Sequence, residues 1–219
     1  MPRMNVTRPP RPLRIRLAEE PDAPAIAAIY APIVTETTIS FEEEPPDAVE
    51  MARRIREGRP LHPWLVAEDP TSPPGPPAIA GYAAATPFRS RPAYRWAVET
   101  SVYVAAERRR RGVASALYRR LLARLAAQGF RRAVAGVTLP NDPSLAFHRR
   151  HGFRPLGTGD RIGWKHGRWL DVAWLQRDLG TGPVDRPPDG DPRPLVAEDV
   201  DPAGGPDDPS AAAGATSAA

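Results

Sequence analysis

The chain contains no cysteine, which excludes disulfides, thiolate metal sites and a cysteine nucleophile. It has no apolar run long enough to span a bilayer, and its first residues lack the apolar core of a secretory signal. The expected location is therefore the cytoplasm, with no membrane partner. Large apolar residues are almost missing from 181–219, a stretch of Pro, Gly, Asp, Ala and Ser that cannot bury enough surface to offset its ordering entropy. The first twelve residues are rich in Pro and Arg and show no apolar period. Segments 1–12 and 180–219 are thus expected to be disordered, leaving one folded domain over 13–179.

That domain has the means to fold. The chain has 219 residues and is 41% hydrophobic, enough for one proper core. Its net charge is +4, with a pI near 9.9, and arginine supplies nearly all of the positive charge. A basic balance suits anionic ligands, nucleic acid among them. The same arginine bias, with 29 prolines and much alanine, also follows from a GC-rich genome.

Periodicity and turn chemistry predict seven strands and four helices. Leu13–Leu17 alternates apolar and basic residues as a half-exposed strand does. Asp22 and Pro24 open a helix on which Ile26, Ile29, Tyr30 and Ile33 recur at helical spacing. A second helix runs from Asp47 to Glu57, stopped by Gly58 and Pro60. Strands follow at Trp64–Glu68 and Ile79–Ala85, across a proline-rich connection, and then at Ala97–Val104. The helix over Gly112–Gln128 carries an apolar stripe of Leu117, Leu121, Leu122 and Leu125. Arg132–Val137 is a strand. Asp142 as cap and Pro143 as first residue open a short helix that ends at Gly152. Two strands close the domain, one from about Trp164 and one over Leu170–Arg177. The order β α α β β β α β α β β predicts an α/β (α+β) fold, a mixed sheet with helices on its faces.

The most informative segment is Val98–Ala116, a strand running into a basic, glycine-containing turn that opens a helix. Successive N–H groups at such a turn, with the positive end of a helix dipole, bind phosphates. By itself R-R-R-G-V-A at Arg109–Ala114 reads either as an anion nest or as a solvated basic turn. The run Arg108–Arg111 lacks the interleaved aromatics that single-stranded nucleic acid would need. Glu99 lies among Trp96, Val98 and Val102, with Ser101 and Tyr103 on its own face of the strand. Desolvation there would raise its pKa toward that of a general base, the alternative being an edge carboxylate paired with an arginine. His148 and His151 sit three apart, with no third ligand at a recognisable spacing, so no metal is expected. The loop Phe88–Tyr94 offers Arg89, Arg91 and Tyr94, which can grip an oxyanion or remain solvated.

These residues resemble the GNAT acyltransferase superfamily, whose Arg/Gln-x-x-Gly-x-Gly/Ala turn is matched by Arg109, Gly112 and Ala114. An Asn before a helix (Asn141) and a helix ending in Gly152-Phe153 match as well. Within the superfamily, T-T-I-S-F at Thr37–Phe41, P-W-L-V-A-E at Pro63–Glu68 and R-W-A-V-E-T-S-V-Y-V at Arg95–Val104 are similar to phosphinothricin N-acetyltransferases. So are L-P-N-D-P-S at Leu139–Ser144 and W-K-H-G-R-W-L-D-V at Trp164–Val172. The resemblance covers nearly all of 13–179.

The resemblance implies a central mixed, mostly antiparallel twisted sheet flanked by helices, and transfer of acetyl from acetyl-CoA to a primary amine. Glu99 stands where the family has its general base. His148 stands where many members have a tyrosine that protonates the leaving thiolate, as a partner of Glu99 or as a proton relay. Val102, Tyr103 and Val104 would pair with the pantetheine arm. Arg109, Arg110, Arg111, Gly112, Val113, Ala114 and Ser115 would hold the pyrophosphate, and Asn141 would contact the CoA arm. Phe41, Arg89, Arg91, Tyr94 and Ser101 would surround an amino acid with a tetrahedral, oxygen-bearing side group. Ala84 and Arg89 replace a tyrosine and a lysine of the phosphinothricin enzymes, which reshapes that pocket. A homodimer is implied. The Arg89/Arg91 pair argues against a polycationic acceptor. Other small amines, a protein N-terminus and a non-catalytic CoA- or nucleic-acid-binding regulator are the rival readings.

Overall fold

A computed structural model describes residues 13–69, 78–180 and 190–194. Its elements follow the expected order: β1 (Arg14–Leu17), α1 (Ala23–Glu36), α2 (Ala48–Gly58), β2 (Trp64–Glu68), β3 (Ile79–Pro87), β4 (Ala97–Val104), α3 (Val113–Ala127), β5 (Arg132–Thr138), α4 (Asp142–Arg150), β6 (Arg154–Lys165) and β7 (Arg168–Asp178). They form one seven-stranded sheet in the order β1-β2-β3-β4-β5-β7-β6. Every neighbouring pair is antiparallel except β4 and β5. The fold class is the one expected.

Helices cover both faces. On one face α3 buries Leu117, Leu121, Leu122 and Leu125 against Val98, Ala133, Ala135 and Leu175. The stripe expected from spacing is thus the buried one, and truncating any of these leucines to Ala would cost about 2–5 kcal/mol. On the other face Ile26, Tyr30, Ile33 and Val34 of α1 and Met51 and Ile55 of α2 cover Trp64, Val66, Tyr82 and Ala84. β2 is buried along its whole length, which explains why it reads as a continuous apolar run and not as an alternation.

Two local readings are corrected. The cap of α4 is Asn141, whose side chain accepts from Ser144 N (3.2 Å), and Asp142 is the first helical residue. Pro143 is tolerated one place later than expected, because the first-turn N–H groups have no intrahelical partner to lose. β6 begins at Arg154, ten residues before the expected start, and its pairing with β7 slips at Pro155/Gly157 and Gly159/Gly163. Those irregularities break the period-two signal, and β6 lies at the sheet edge, where side chains need not alternate in burial. The expectation for 1–12 lies outside the described residues, as does most of that for 180–219. The described stretch 190–194 lies against the domain: Arg193 N donates to Gln128 O (2.9 Å), Trp96 Nε1 to Gly190 O (2.9 Å), and Arg95 pairs with Asp191 (2.6 Å).

Candidate active site

β4 and β5 pair for only three rungs, Ala97–Glu99 against Arg132–Val134. Beyond them β4 continues to Val104 and β5 to Thr138 without a ladder between them. A parallel pair that parts in mid-sheet leaves a gap, and the side of β4 turned away from β3 lines it with backbone groups of Val102 and Val104, whereas Tyr103, expected with them, turns its backbone groups to β3 because they alternate along a strand. At the point of parting Thr100 Oγ1 donates to Val134 O (3.3 Å).

The basic turn sits at the end of β4. Arg110 and Gly112 both have positive φ, 60° and 79°, so the backbone alternates in hand and its N–H groups converge. A Cβ at Gly112 would meet no atom within 4 Å; glycine is required there by the sign of φ, not by crowding. The first-turn amides of α3 at Val113, Ala114 and Ser115 open toward the same point, the first intrahelical bond running from Ala116 N to Gly112 O (3.0 Å). Arg109, Arg110 and Arg111 are exposed. Arg108 differs from them, being held by the buried carboxylate of Asp69. Ser115 Oγ lies 3.2 Å from His151 Nε2. Burial, aided by Arg119 and Arg177, pushes the His151 pKa down to about 4.

Glu99 faces the α1/α2 side of the sheet, with Ser101 and Tyr103. Burial raises its pKa, and the nearby Arg89 guanidinium partly opposes the rise. Arg89 is placed by aromatic faces: its guanidinium carbon lies 4.4 Å from the Phe88 ring centroid and 5.7 Å from that of Trp174. The Trp174 ring in turn lies across Gly136, whose missing side chain leaves room for it. Trp174 is a residue that the sequence pattern alone did not single out. Its signal is the alternation of β7, in which Val172, Trp174 and Gln176 share the Glu99 face while Leu175 faces α3. Ser101 is opposite the buried Ala84.

The other expected residues are less concentrated. Arg91 and Tyr94 are exposed on the same loop as Arg89, Tyr94 packing edge-on against Phe88 at 5.8 Å. Their described contacts bring neither to Glu99. Phe41 is exposed and lies against Gly163 at the far end of the sheet's last hairpin. Asn141 spends its side-chain oxygen on capping α4.

His148 is buried on the α3 side, between Tyr118, Phe147 and Phe153. Its Nδ1 donates to Ser144 O at 2.8 Å. That bond fixes the neutral tautomer and leaves Nε2 as the acceptor, while burial lowers the pKa. Glu99 is on the α1/α2 face of the sheet while His148 packs with α3 on the other, and no described contact joins them as a direct pair.

One strand thus carries a buried-side carboxylate, a parting from its parallel neighbour and, at its end, a turn of alternating backbone hand. Residues 26–153 match the acetyltransferase (GNAT) family. The chain belongs to that family. As a GNAT member it is an acetyl-CoA-dependent N-acetyltransferase. It is 38% identical over 177 residues to the phosphinothricin N-acetyltransferase of Streptomyces viridochromogenes, covering 81% of this chain and 93% of that one. It is 36% identical over 169 residues to an L-methionine sulfoximine/L-methionine sulfone acetyltransferase of Pseudomonas paraeruginosa, covering 75% and 94%. Among solved structures, this GNAT acetyltransferase resembles the phosphinothricin acetyltransferase of Sinorhizobium meliloti in complex with acetyl-CoA, with a TM-score of 0.73 and 38% identity over 82% of this chain and 95% of that one.

Proposed function

We propose that this acetyltransferase acts on the primary amine of an amino acid bearing a tetrahedral, oxygen-rich side group, in the class of phosphinothricin and methionine sulfoximine. The names of the relatives support that class, and so does Arg89, a cation held by rings on the Glu99 face. Such a group can bond an anionic oxygen through charge-assisted hydrogen bonds. Arg91 and Tyr94, on the same loop, and Ser101 and Phe41 complete the acceptor side.

The half-buried, pKa-raised carboxylate of Glu99 beside the β4–β5 gap carries the reading. Acetyl-CoA supplies an activated thioester carbonyl. The converging amides of Arg110–Ser115 and the exposed guanidinia of Arg109, Arg110 and Arg111 fit a pyrophosphate by geometry and by sign. The gap fits an extended arm paired with the β4 backbone at Val102 and Val104, on either side of Tyr103, and we assign Asn141 to its other wall. Glu99 takes a proton from the substrate ammonium, freeing its lone pair to attack. The β4 amides stabilise the oxyanion that develops on the carbonyl. His148 Nε2, an open lone pair on the α3 side, takes the second proton from the amine nitrogen as the amide forms and passes it to the leaving sulfur as the C–S bond breaks. The enzyme works as a homodimer, a state supported by the exposed apolar side chains of Leu156, Ile162, Trp164 and Trp169 along the β6–β7 edge.

Replacing Glu99 by Ala tests the assignment. Acetyl-CoA affinity is expected to be retained while turnover, read as thiol release, falls about 10²–10⁴-fold. Unchanged turnover would remove Glu99 as base. A parallel panel of phosphinothricin, methionine sulfoximine, ordinary amino acids, a polyamine and an N-terminal peptide decides the acceptor class.

A further inference from the structure

The loop after α1 is held from two sides. Within its own half of the domain, the buried Ser40 places Oγ 2.6 Å from the Tyr30 hydroxyl. Tyr30 also donates to Glu42 (3.1 Å) and packs edge-on against Tyr103 at 5.0 Å. Tyr103 shares the Glu99 face of β4, so the position of this loop bears directly on the wall beside the carboxylate. From the opposite side come three contacts of the β6–β7 turn. Gly163 receives the Phe41 ring, and a Cβ there would overlap it. His166 Nε2 donates to Thr37 O (3.2 Å). The Lys165 ammonium, only 4% exposed, donates to Val34 O (2.7 Å) and to Ser40 O (2.6 Å).

Two features set Lys165 apart. Of the 30 lysine and arginine residues in this chain it is the one lysine. A site where two backbone carbonyls converge suits a compact ammonium with tetrahedral donors and not a planar guanidinium fork. Its acceptor Val34 O also belongs to the last turn of α1, where carbonyls lack intrahelical donors and the helix dipole favours a cation. Nothing in the acetyl-transfer chemistry uses this buried group.

We infer that Lys165 is a positioning residue for the amino-acid acceptor: it clamps the Thr37–Phe41 loop onto the β6–β7 hairpin and so holds Phe41 against Gly163 and Tyr30 against Tyr103, on the Glu99 face of β4. The role assigned to the loop rests on the acceptor side proposed above; the clamp itself does not. Removing it loosens the acceptor side, and the turn at Arg110–Ser115 lies outside the clamped segments.

The test is Lys165→Met in the full chain, which keeps the length of the side chain and removes its donors. Losing two charge-assisted bonds is expected to raise the acceptor KM about tenfold. The kcat and the acetyl-CoA KM are expected to stay within about twofold, and amide hydrogen exchange over 37–42 to quicken. A merely structural role would lower stability without splitting the two KM values. Should Lys165→Met fail to fold, His166→Ala at the exposed end of the turn decides, with an expected acceptor KM rise of about twofold from the loss of one weaker bond. An unchanged acceptor KM, or an equal rise in both KM values, overturns the proposal. If the unaltered enzyme acetylates no amino acid at all, the proposed acceptor class fails on its own. Exchange over 37–42 then decides the clamp, quickened exchange supporting it and unchanged exchange overturning it.

Discussion

Thr100 Oγ1 and the Tyr118 hydroxyl lie 2.7 Å apart, both buried, and tie the strand that carries Glu99 to the helix that opens at the phosphate nest. The bond sits where β4 and β5 part, so it fixes the distance between the two halves of the site. Tyr118 is also the aromatic floor under His148, with ring centroids 5.5 Å apart.

Tyr118→Phe keeps that floor and removes the tie. Thr100 can still donate to Val134 O, so no buried group is orphaned and the stability loss is expected to be about 1 kcal/mol. Urea unfolding measures the loss, and a loss above about 3 kcal/mol would mean that the hydroxyl supports more than this bond.

Glu99 gives the fold a pH dependence of definite sign. Its pKa is raised in the folded state above the ordinary value of 4.5, so between 4.5 and the raised value the native protein binds more protons than the unfolded chain does. Stability from this group is therefore full below about 4.5 and is lost as pH rises through the folded pKa. Glu99→Gln is expected to melt higher than the unaltered protein at neutral pH and at the same temperature at acid pH. Melting curves at the two pH values check it; a variant less stable at neutral pH would refute a desolvated carboxylate.

Gly112→Ala separates the two substrates. The added methyl meets nothing, but a φ of 79° costs an L-residue about 1–2 kcal/mol. Relief of that strain turns the nest amides away from their common point. The acetyl-CoA KM is expected to rise several-fold with the acceptor KM unchanged, the reverse of the Lys165→Met pattern. Steady-state titration of each substrate against a saturating amount of the other reads this out.

Where the chemistry depends on neighbours in the chain, it is legible in the sequence. The alternation of β4, the leucine stripe of α3 and the turn at Arg109–Ala114 are all set within a few residues, by period and by backbone sign. Arg89 belongs to this group too, since β3 and β4 are consecutive and their loop must return beside Glu99. The start of β6 is not legible, because its register slips erase the alternation. The side on which His148 lies is not legible either, because a short helix carries no record of the face it covers.

Composition, local period and turn chemistry by themselves determined the class of fold of this acetyltransferase, the positive-φ turn at Arg110–Gly112 and the face of β4 on which Glu99 lies. Each of those follows from residues close enough in sequence to constrain one another's backbone. Only the tertiary structure decided that β7 enters between β5 and β6, and with it the meeting of Trp174 with Gly136 and Arg89. The same sheet order brings Lys165 to carbonyls 131 and 125 residues away. Such contacts are chosen by the burial of whole faces against each other, and no short stretch of sequence encodes which faces meet.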